Sequence, residues 1–175
     1  MGAQAEGHNG VRCVVSNTGP LLHLVEAESL TLLSWTGEVS IPQAVDIEIT
    51  QQYPLWQTQR PLWINVQVLA PPHEREATGW TQAQLLGSGE AEAVALARQM
   101  SAHWLLTDDA TARLFAESLG IEVHGSLGIV LWAAAMGHLK RADAEATLDR
   151  LANSSLWIAA KVLAEAKAAL NQLFP

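Results

Sequence analysis

The stretch RCVVSNTGPLL, residues 12–22, decides how the chain is read. An apolar run, CVV, stops on three polar residues, Ser16, Asn17 and Thr18, then resumes beyond Gly19 and Pro20. A short valine-rich run bounded by turn residues reads as a strand buried on both faces. Pro20 suits the first turn of a helix, and PLLHLVEAESLTLLSW (20–35) carries apolar residues at helical spacing. The stretch is therefore a strand feeding a helix. Asn17 stands at the junction, either as a turn residue that caps the helix or as part of a site at the strand's carboxyl end.

The same alternation continues along the chain. EVSIP (38–42) reads as a second short strand and PQAVDIEITQQ (42–52) as a helix. From 53 to 84 the pattern weakens into prolines, glutamines and three tryptophans, Trp56, Trp63 and Trp80. Within it, Ile64, Val66 and Val68 alternate with Asn65 and Gln67, as in a half-exposed strand. PLW recurs at 54 and 61, too few copies for a repeat architecture. Ser88 is placed to cap an alanine-rich helix, SGEAEAVALARQM (88–100). HWLLT (103–107) is the next strand and runs into Asp108 and Asp109. A helix follows to Gly120, a natural stop, then the strand IEVH (121–124) and a helix from Ser126, its expected cap, to Gly137. The remainder, 141–174, reads as two helices split at NSS, with Ser155 capping the second. Strands separated by helices predict an α/β fold with a parallel sheet covered on both faces. One domain over 11–175 and a disordered tail over 1–10 are expected.

Composition narrows the function. Hydrophobic residues make up 49% of the chain and charged ones 16%, which describes a core-rich globular protein and not a disordered one. The net charge of −8 argues against a broad electrostatic grip on nucleic acid. It leaves room for a small acidic pocket that acts through a divalent cation. Cys13 is the only cysteine, so no intramolecular disulfide forms, and a reducing compartment is the simpler expectation. MGAQAEGHNG at the start lacks a signal peptide's basic and apolar regions, and Glu6 stands where myristoylation needs Ser or Thr. No apolar stretch approaches the roughly 20 residues a membrane span requires. A cytoplasmic location without membrane contact is expected.

In open parallel sheets, ligands bind beyond the carboxyl ends of the strands. Ser16, Asn17 and Thr18 follow the first strand, and Asp108 and Asp109 follow WLLT, so the two groups share an edge if their strands are neighbours. Helices add Glu90, in the first turn of GEAEAVALA, and Glu48, beside the apolar side formed by Val45 and Ile49. A carboxylate in a buried helix is costly unless paired or bound to a cation. Glu90 and Glu92 are two residues apart and so face nearly opposite ways. Each residue also has a plainer explanation. Asp109 can be an N-cap, Glu90 can favour the positive helix end, Glu48 can be solvated, and Arg113 is spaced to pair with Glu117. Other chemistries fit less well. GSGEAE lacks the lysine of a phosphate loop, no Cys or His pair has zinc spacing, and no Gly-x-Ser-x-Gly elbow occurs. The tryptophans are expected to cover a core or an interface more than to stack on bases.

In this order the motifs resemble the PIN domain family, and within it VapC-type toxins of prokaryotic toxin–antitoxin pairs. Four segments carry the resemblance. VVSNTGPLLHL is similar to the opening strand and turn, where the family usually places its first Asp. VSIPQAVDIEI looks like the segment that supplies a helical Glu, here Glu48. GSGEAEAVALA resembles the start of the central helix with its acidic residue, here Glu90. WLLTDDATARLFAESLGI looks like the strand ending in the remaining acidic position, matched by Asp109 with Asp108 beside it. VHGSLGIVLWAAAMGHL is further similar to a compact subgroup of these proteins.

The resemblance implies a flavodoxin-like α/β/α sandwich and metal-assisted hydrolysis of single-stranded RNA with Mg²⁺ or Mn²⁺. It implies Glu90, Asp108, Asp109 and Asn17 as metal ligands and Glu48 as a further catalytic residue. It also implies a small antitoxin partner whose basic side chain enters the acidic pocket, and a homodimer. The departure is Asn17, which supplies a neutral amide oxygen where the family has a carboxylate. A non-catalytic PIN-like module that binds protein or RNA is the alternative, and a nucleotide-binding flavodoxin-like protein a weaker third.

Overall fold

Val14 and Val15 are wholly inaccessible to solvent, as expected of a central parallel strand covered on both faces. The structure, a computed structural model, describes residues 10–175. Of the tail expected over 1–10, all but Gly10 lies outside the described residues. The strands are β1 (Cys13–Ser16), β2 (Glu38–Pro42), β3 (Ile64–Gln67), β4 (Trp104–Leu106) and β5 (Val123–His124). They form one sheet in the order β3-β2-β1-β4-β5, and every pairing is parallel. The chain moves outward from β1 through β2 to β3, then returns to build β4 and β5 on the other side. The order reverses at β1 and β4, where Ser16 lies opposite Leu106. That reversal is where a parallel sheet opens a crevice at its carboxyl edge.

The helices are α1 (Thr18–Glu26), α2 (Gln43–Gln52), α3 (Trp56–Gln59), α4 (Pro71–Gln82), α5 (Ser88–Gln99), α6 (Ala110–Ser118), α7 (Ser126–Ala135), α8 (Arg141–Ala152) and α9 (Ala160–Leu173). The alanines of α5 let it lie close against β1, β2 and β4, with Ala91 and Ala93–Ala97 buried. The remaining layer contains α1, α7, α8 and α9 packed on one another. Among the described residues no helix is long and apolar enough to cross a membrane.

Several elements differ from the sequence reading. The helix expected over 20–35 ends at Glu26. Glu28 turns left-handed (φ +53°), and the N–H groups of Glu28 and Ser29 bond back to the carbonyls of Val25 and Leu24. This is a Schellman ending with Glu in the place glycine favours, and Leu30–Trp35 continues as a 3₁₀ helix. The weak region 53–84 contains α4, which starts at Pro71–Pro72 and buries only Ala77 fully. One buried contact in twelve residues leaves almost no periodic signal. Trp56 is 1% exposed in the core, Trp63 and Trp80 pack against it, and Trp80 meets Phe115 edge-on.

The three serines expected as helix caps all do something else. Gly87 and Gly125 hold the N-cap positions before Ser88 and Ser126, and α9 begins at Ala160, well after Ser155. Each serine binds a carboxylate instead: Ser88 donates to Glu48, Ser126 to Asp108 and Ser155 to Glu26. A charged acceptor makes a stronger hydrogen bond than a helix-end amide does.

Gly37 fixes where β1 and β2 begin to pair. Its φ is +147°, and a Cβ there would collide with the backbone carbonyl of Arg12. That carbonyl accepts the N–H of Glu38 at 2.8 Å. Gly37→Ala is therefore expected to cost about 1–3 kcal/mol of unfolding free energy, measurable by urea denaturation.

Candidate active site

The carboxyl edge of the sheet gathers the polar residues that the strands run into. Asn17 is 4% exposed and is the N-cap of α1. Its backbone N–H donates to the Leu106 carbonyl at 2.8 Å, extending the β1–β4 ladder by one bond. Its Oδ1 accepts the Thr18 N–H at 2.8 Å and its Nδ2 donates to Thr107 Oγ1 at 3.3 Å. Thr107 Oγ1 in turn accepts the Asp109 N–H at 3.2 Å. Asn17 thus connects the end of β1 to the turn that carries both aspartates.

The four carboxylates fall into two kinds. Asp108 and Glu48 are tied down by the protein. Asp108 Oδ1 accepts the Ser126 N–H at 2.7 Å, at the N-terminus of α7. Its Oδ2 accepts the Ser126 hydroxyl at 2.6 Å and faces His23 Nδ1 at 2.7 Å. An ionised carboxylate only accepts, so Nδ1 of His23 carries the proton in this contact. Burial works to raise the pKa of Asp108, but the hydrogen bonds from His23 and Ser126 outweigh it, and the carboxyl is held below its ordinary value. Glu48 Oε1 accepts the Gly89 N–H at 3.0 Å, at the N-terminus of α5, and its Oε2 accepts the Thr18 hydroxyl at 2.7 Å.

Glu90 and Asp109 are the open pair. Both line a cleft of about 530 Å³ with Thr81, Gln84, Gly87 and Thr111. Asp109 Oδ1 caps α6 through the Ala112 N–H at 2.7 Å, so the N-cap function and an outward oxygen coexist in one side chain. Glu90 sits in the first turn of α5, folded over Gly87, with no hydrogen-bond partner among the described residues. Glu92 faces away and accepts the Ala44 N–H at 3.1 Å, as expected for a residue two positions on.

All five sequence-predicted residues therefore lie at one edge of the sheet, but they do not converge on one point. Among the described residues no group of three or more His, Cys, Asp or Glu side chains is set to hold a metal ion. Glu90 and Asp109 still suit a hard divalent cation. They offer carboxylate oxygens in an open, wettable cleft, and Mg²⁺ is commonly held by one or two carboxylates while keeping several waters.

The sequence reading placed Thr18 at this edge only as a polar residue after the first strand, and missed His23, Thr107 and Ser126 as members of this network. Ser126 was within reach of the rule used elsewhere, since it is the polar residue that follows the strand IEVH. His23 lies one helical turn beyond Gly19 and so faces the same side. An atom added to Gly19 would touch both the His23 ring and Asp108 Cβ, at 3.5 and 3.6 Å. Arg113 does approach Glu117 at 3.9 Å, as its spacing predicts, but also donates to the carbonyls of Val123 and Thr107 at 3.3 and 3.4 Å.

A family model described as a PIN domain matches residues 13–172, which takes in every element of the sheet and the whole carboxyl-edge cluster. No curated protein matches the chain.

The Asp108 contacts make stability depend on acid. Its folded pKa lies below the unfolded value, so its contribution is complete above the ordinary aspartate range and is lost as pH falls through the lowered folded value. The stability difference between the wild type and Asp108→Asn is expected to shrink as pH falls below about pH 4. Urea titrations across that range measure it.

Proposed function

The chain belongs to the PIN domain family, and from that premise we propose that it is a metal-dependent endoribonuclease acting on single-stranded RNA, the toxin of a VapC-like pair. One observation carries the proposal: Glu90 and Asp109 share an open cleft with carboxylate oxygens unspent, while Asp108 and Glu48 are hydrogen-bonded at both oxygens. A divalent cation bound there, Mg²⁺ or Mn²⁺, supplies Lewis-acid activation of water and neutralises charge on the phosphodiester.

The chain's own residues do the rest. Glu90 and Asp109 hold the ion. Asp109 is kept in position by its cap bond to Ala112 and by the Thr107 hydroxyl on its backbone. Asp108, occupied by Ser126 and His23, fixes the loop that carries Asp109 and leaves the direct ligation to its neighbour. Glu48 holds the N-terminus of α5 and with it the start of the turn bearing Glu90. Because the net charge is −8, RNA is held by the ion and by local contacts, and not by a general attraction.

The remaining expectations follow the same reading. A small antitoxin places a basic side chain in the Glu90–Asp109 cleft, where its charge substitutes for the ion's. A homodimer uses the tryptophan-bearing segment or the last helix, where Leu55, Leu62 and Val162 are exposed. The protein works in the cytoplasm.

Glu90→Gln and Asp109→Asn are each expected to lower Mn²⁺-dependent cleavage of single-stranded RNA by about 100-fold or more. Asn at 109 keeps the cap of α6, so circular dichroism should report an unchanged fold. Absence of both cleavage and calorimetric Mn²⁺ binding in the wild type would refute the nuclease reading.

Asn17 favours the alternative, a non-catalytic binding module, because its amide oxygen is committed to the Thr18 N–H. On the nuclease reading the ion sits at Glu90 and Asp109, and position 17 only supports that seat. Asn17→Asp is then expected to change Mn²⁺ affinity by less than about tenfold, 1.4 kcal/mol. A larger gain, measured by calorimetry, would put position 17 among the ligands and make its natural amide a sign of lost activity.

A further inference from the structure

A second cavity, of about 400 Å³, is lined by Asp108 on the Asp108–Asp109 turn, whereas Asp109 lines the cleft. The end of β5, the first turn of α7 and the segment ahead of α9 form its walls. Two features of this cavity are not accounted for by folding.

The first is Trp157. It stands on the cavity wall at 85% exposure, the largest apolar surface the core leaves in water at this edge. The chain on either side of it is fixed. Ser155 is bound through its N–H and hydroxyl to Glu26 at 2.7 and 2.8 Å, and Leu156 and Ile158 pack against the core. The indole is therefore presented by an anchored segment.

The second is Arg113. Its guanidinium has five N–H donors. In the protein it makes two long bonds to carbonyls, at 3.3 and 3.4 Å, and a loose approach to Glu117 at 3.9 Å. It lies close over Gly125, where a Cβ would meet Arg113 Nη2 at 3.1 Å and Asp108 Oδ1 at 2.9 Å. Glycine at 125 thus opens the space that the arginine and the aspartate share.

We infer that this cavity is a nucleotide subsite, which takes the unpaired base next to the cut bond with Trp157 stacked on its face and Arg113 donating to its edge. The lining favours a base over a phosphate. Arg113 and Asp108, of opposite formal charge, both line the cavity, so an anion would meet an acidic neighbour there, while a neutral ring with acceptor atoms fits both the apolar wall and the spare donors. Leu127, Leu156 and Ile158 supply that wall. Asp108 lines the cavity and its sequence neighbour Asp109 lines the cleft, so one turn of chain carries a wall residue of each. A duplex would keep the base stacked and out of reach, so the subsite also explains a preference for single strands.

The inference rests on the ribonuclease reading for its substrate, and the test separates the two. A randomised single-stranded RNA pool is cleaved with Mn²⁺ and the ends are sequenced for the wild type, Trp157→Ala and Arg113→Gln. The wild type should show a base preference at one position beside the cut. Trp157→Ala should raise KM about 5- to 100-fold, the effect of losing one base–aromatic stack, and both variants should lose the preference. Trp157 is too exposed for its removal to unfold the chain. Wild-type cleavage with KM and preference unchanged in Trp157→Ala overturns the subsite and leaves the nuclease standing. If the wild type does not cleave, fluorescence anisotropy with a labelled oligoribonucleotide in EDTA decides. Binding that Trp157→Ala weakens to the same degree supports the subsite although the nuclease reading has failed. Absent binding, or binding indifferent to Trp157, overturns it.

Discussion

The parallel pairing of β1 with β4 is the constraint on which the rest of the molecule depends. These two strands are far apart in sequence, and their pairing sets Ser16 opposite Leu106 and the Asn17 N–H on the Leu106 carbonyl. It makes the chain reverse its direction of travel across the sheet at that seam. Four of the helices, α1, α5, α6 and α7, start at this carboxyl edge close to the polar cluster. The N-termini of α1, α5, α6 and α7 all contact the cluster through Thr18, Gly89, Ala112 and Ser126. Four sets of unpaired backbone N–H groups face one edge of the sheet, each bound by a different side chain. Acidic side chains there serve folding and chemistry alike, because each helix end favours a negative partner.

This dual use explains how the acidic residues divide. Burying a carboxylate without a partner is among the costliest things a fold can do. Asp108 and Glu48 are bonded at both oxygens by helix-end amides, hydroxyls and, for Asp108, His23. Their charge is answered inside the protein, so they act as structural anchors for the two helix starts. Asp109 is exposed and the half-buried Glu90 lines the open cleft, where water reaches their oxygens. They keep free lone pairs, and only they can offer them to an ion without giving up a bond that holds the fold. Position in the fold, more than residue type, assigns the roles.

How far the sequence reveals this depends on how local each signal is. The strands could be read because β-branched runs end abruptly on polar residues, and parallel pairing follows from helices between strands. The acidic positions were legible for the same reason, since they lie directly beyond strands or in first turns. What could not be read depends on contacts across the fold. Ser88, Ser126 and Ser155 have the composition of helix caps, and each is diverted by a carboxylate that folding brings to it. Glu28 takes a left-handed turn that its side chain does not announce. The helix α4 hides because it buries a single alanine, so no period appears in its sequence. His23 reads as an ordinary helix residue until β4 places Asp108 against it.

Asn17 shows why a residue at such a seam cannot be judged by charge alone. Its amide performs two jobs at once, since the oxygen caps α1 and the nitrogen donates to Thr107. Thr107 then accepts the Asp109 N–H, so the orientation of the outward carboxylate is set partly from β1. A carboxylate at 17 could keep this chain intact, with the Thr107 hydroxyl reversing to donate. Hydrogen bonding therefore tolerates either residue, and the difference between them is one negative charge in a buried place beside Asp108. The amide avoids placing that charge at a position only 4% exposed. The amide thus fits the seam without adding charge, and the carboxylates with free oxygens remain Glu90 and Asp109 in the cleft.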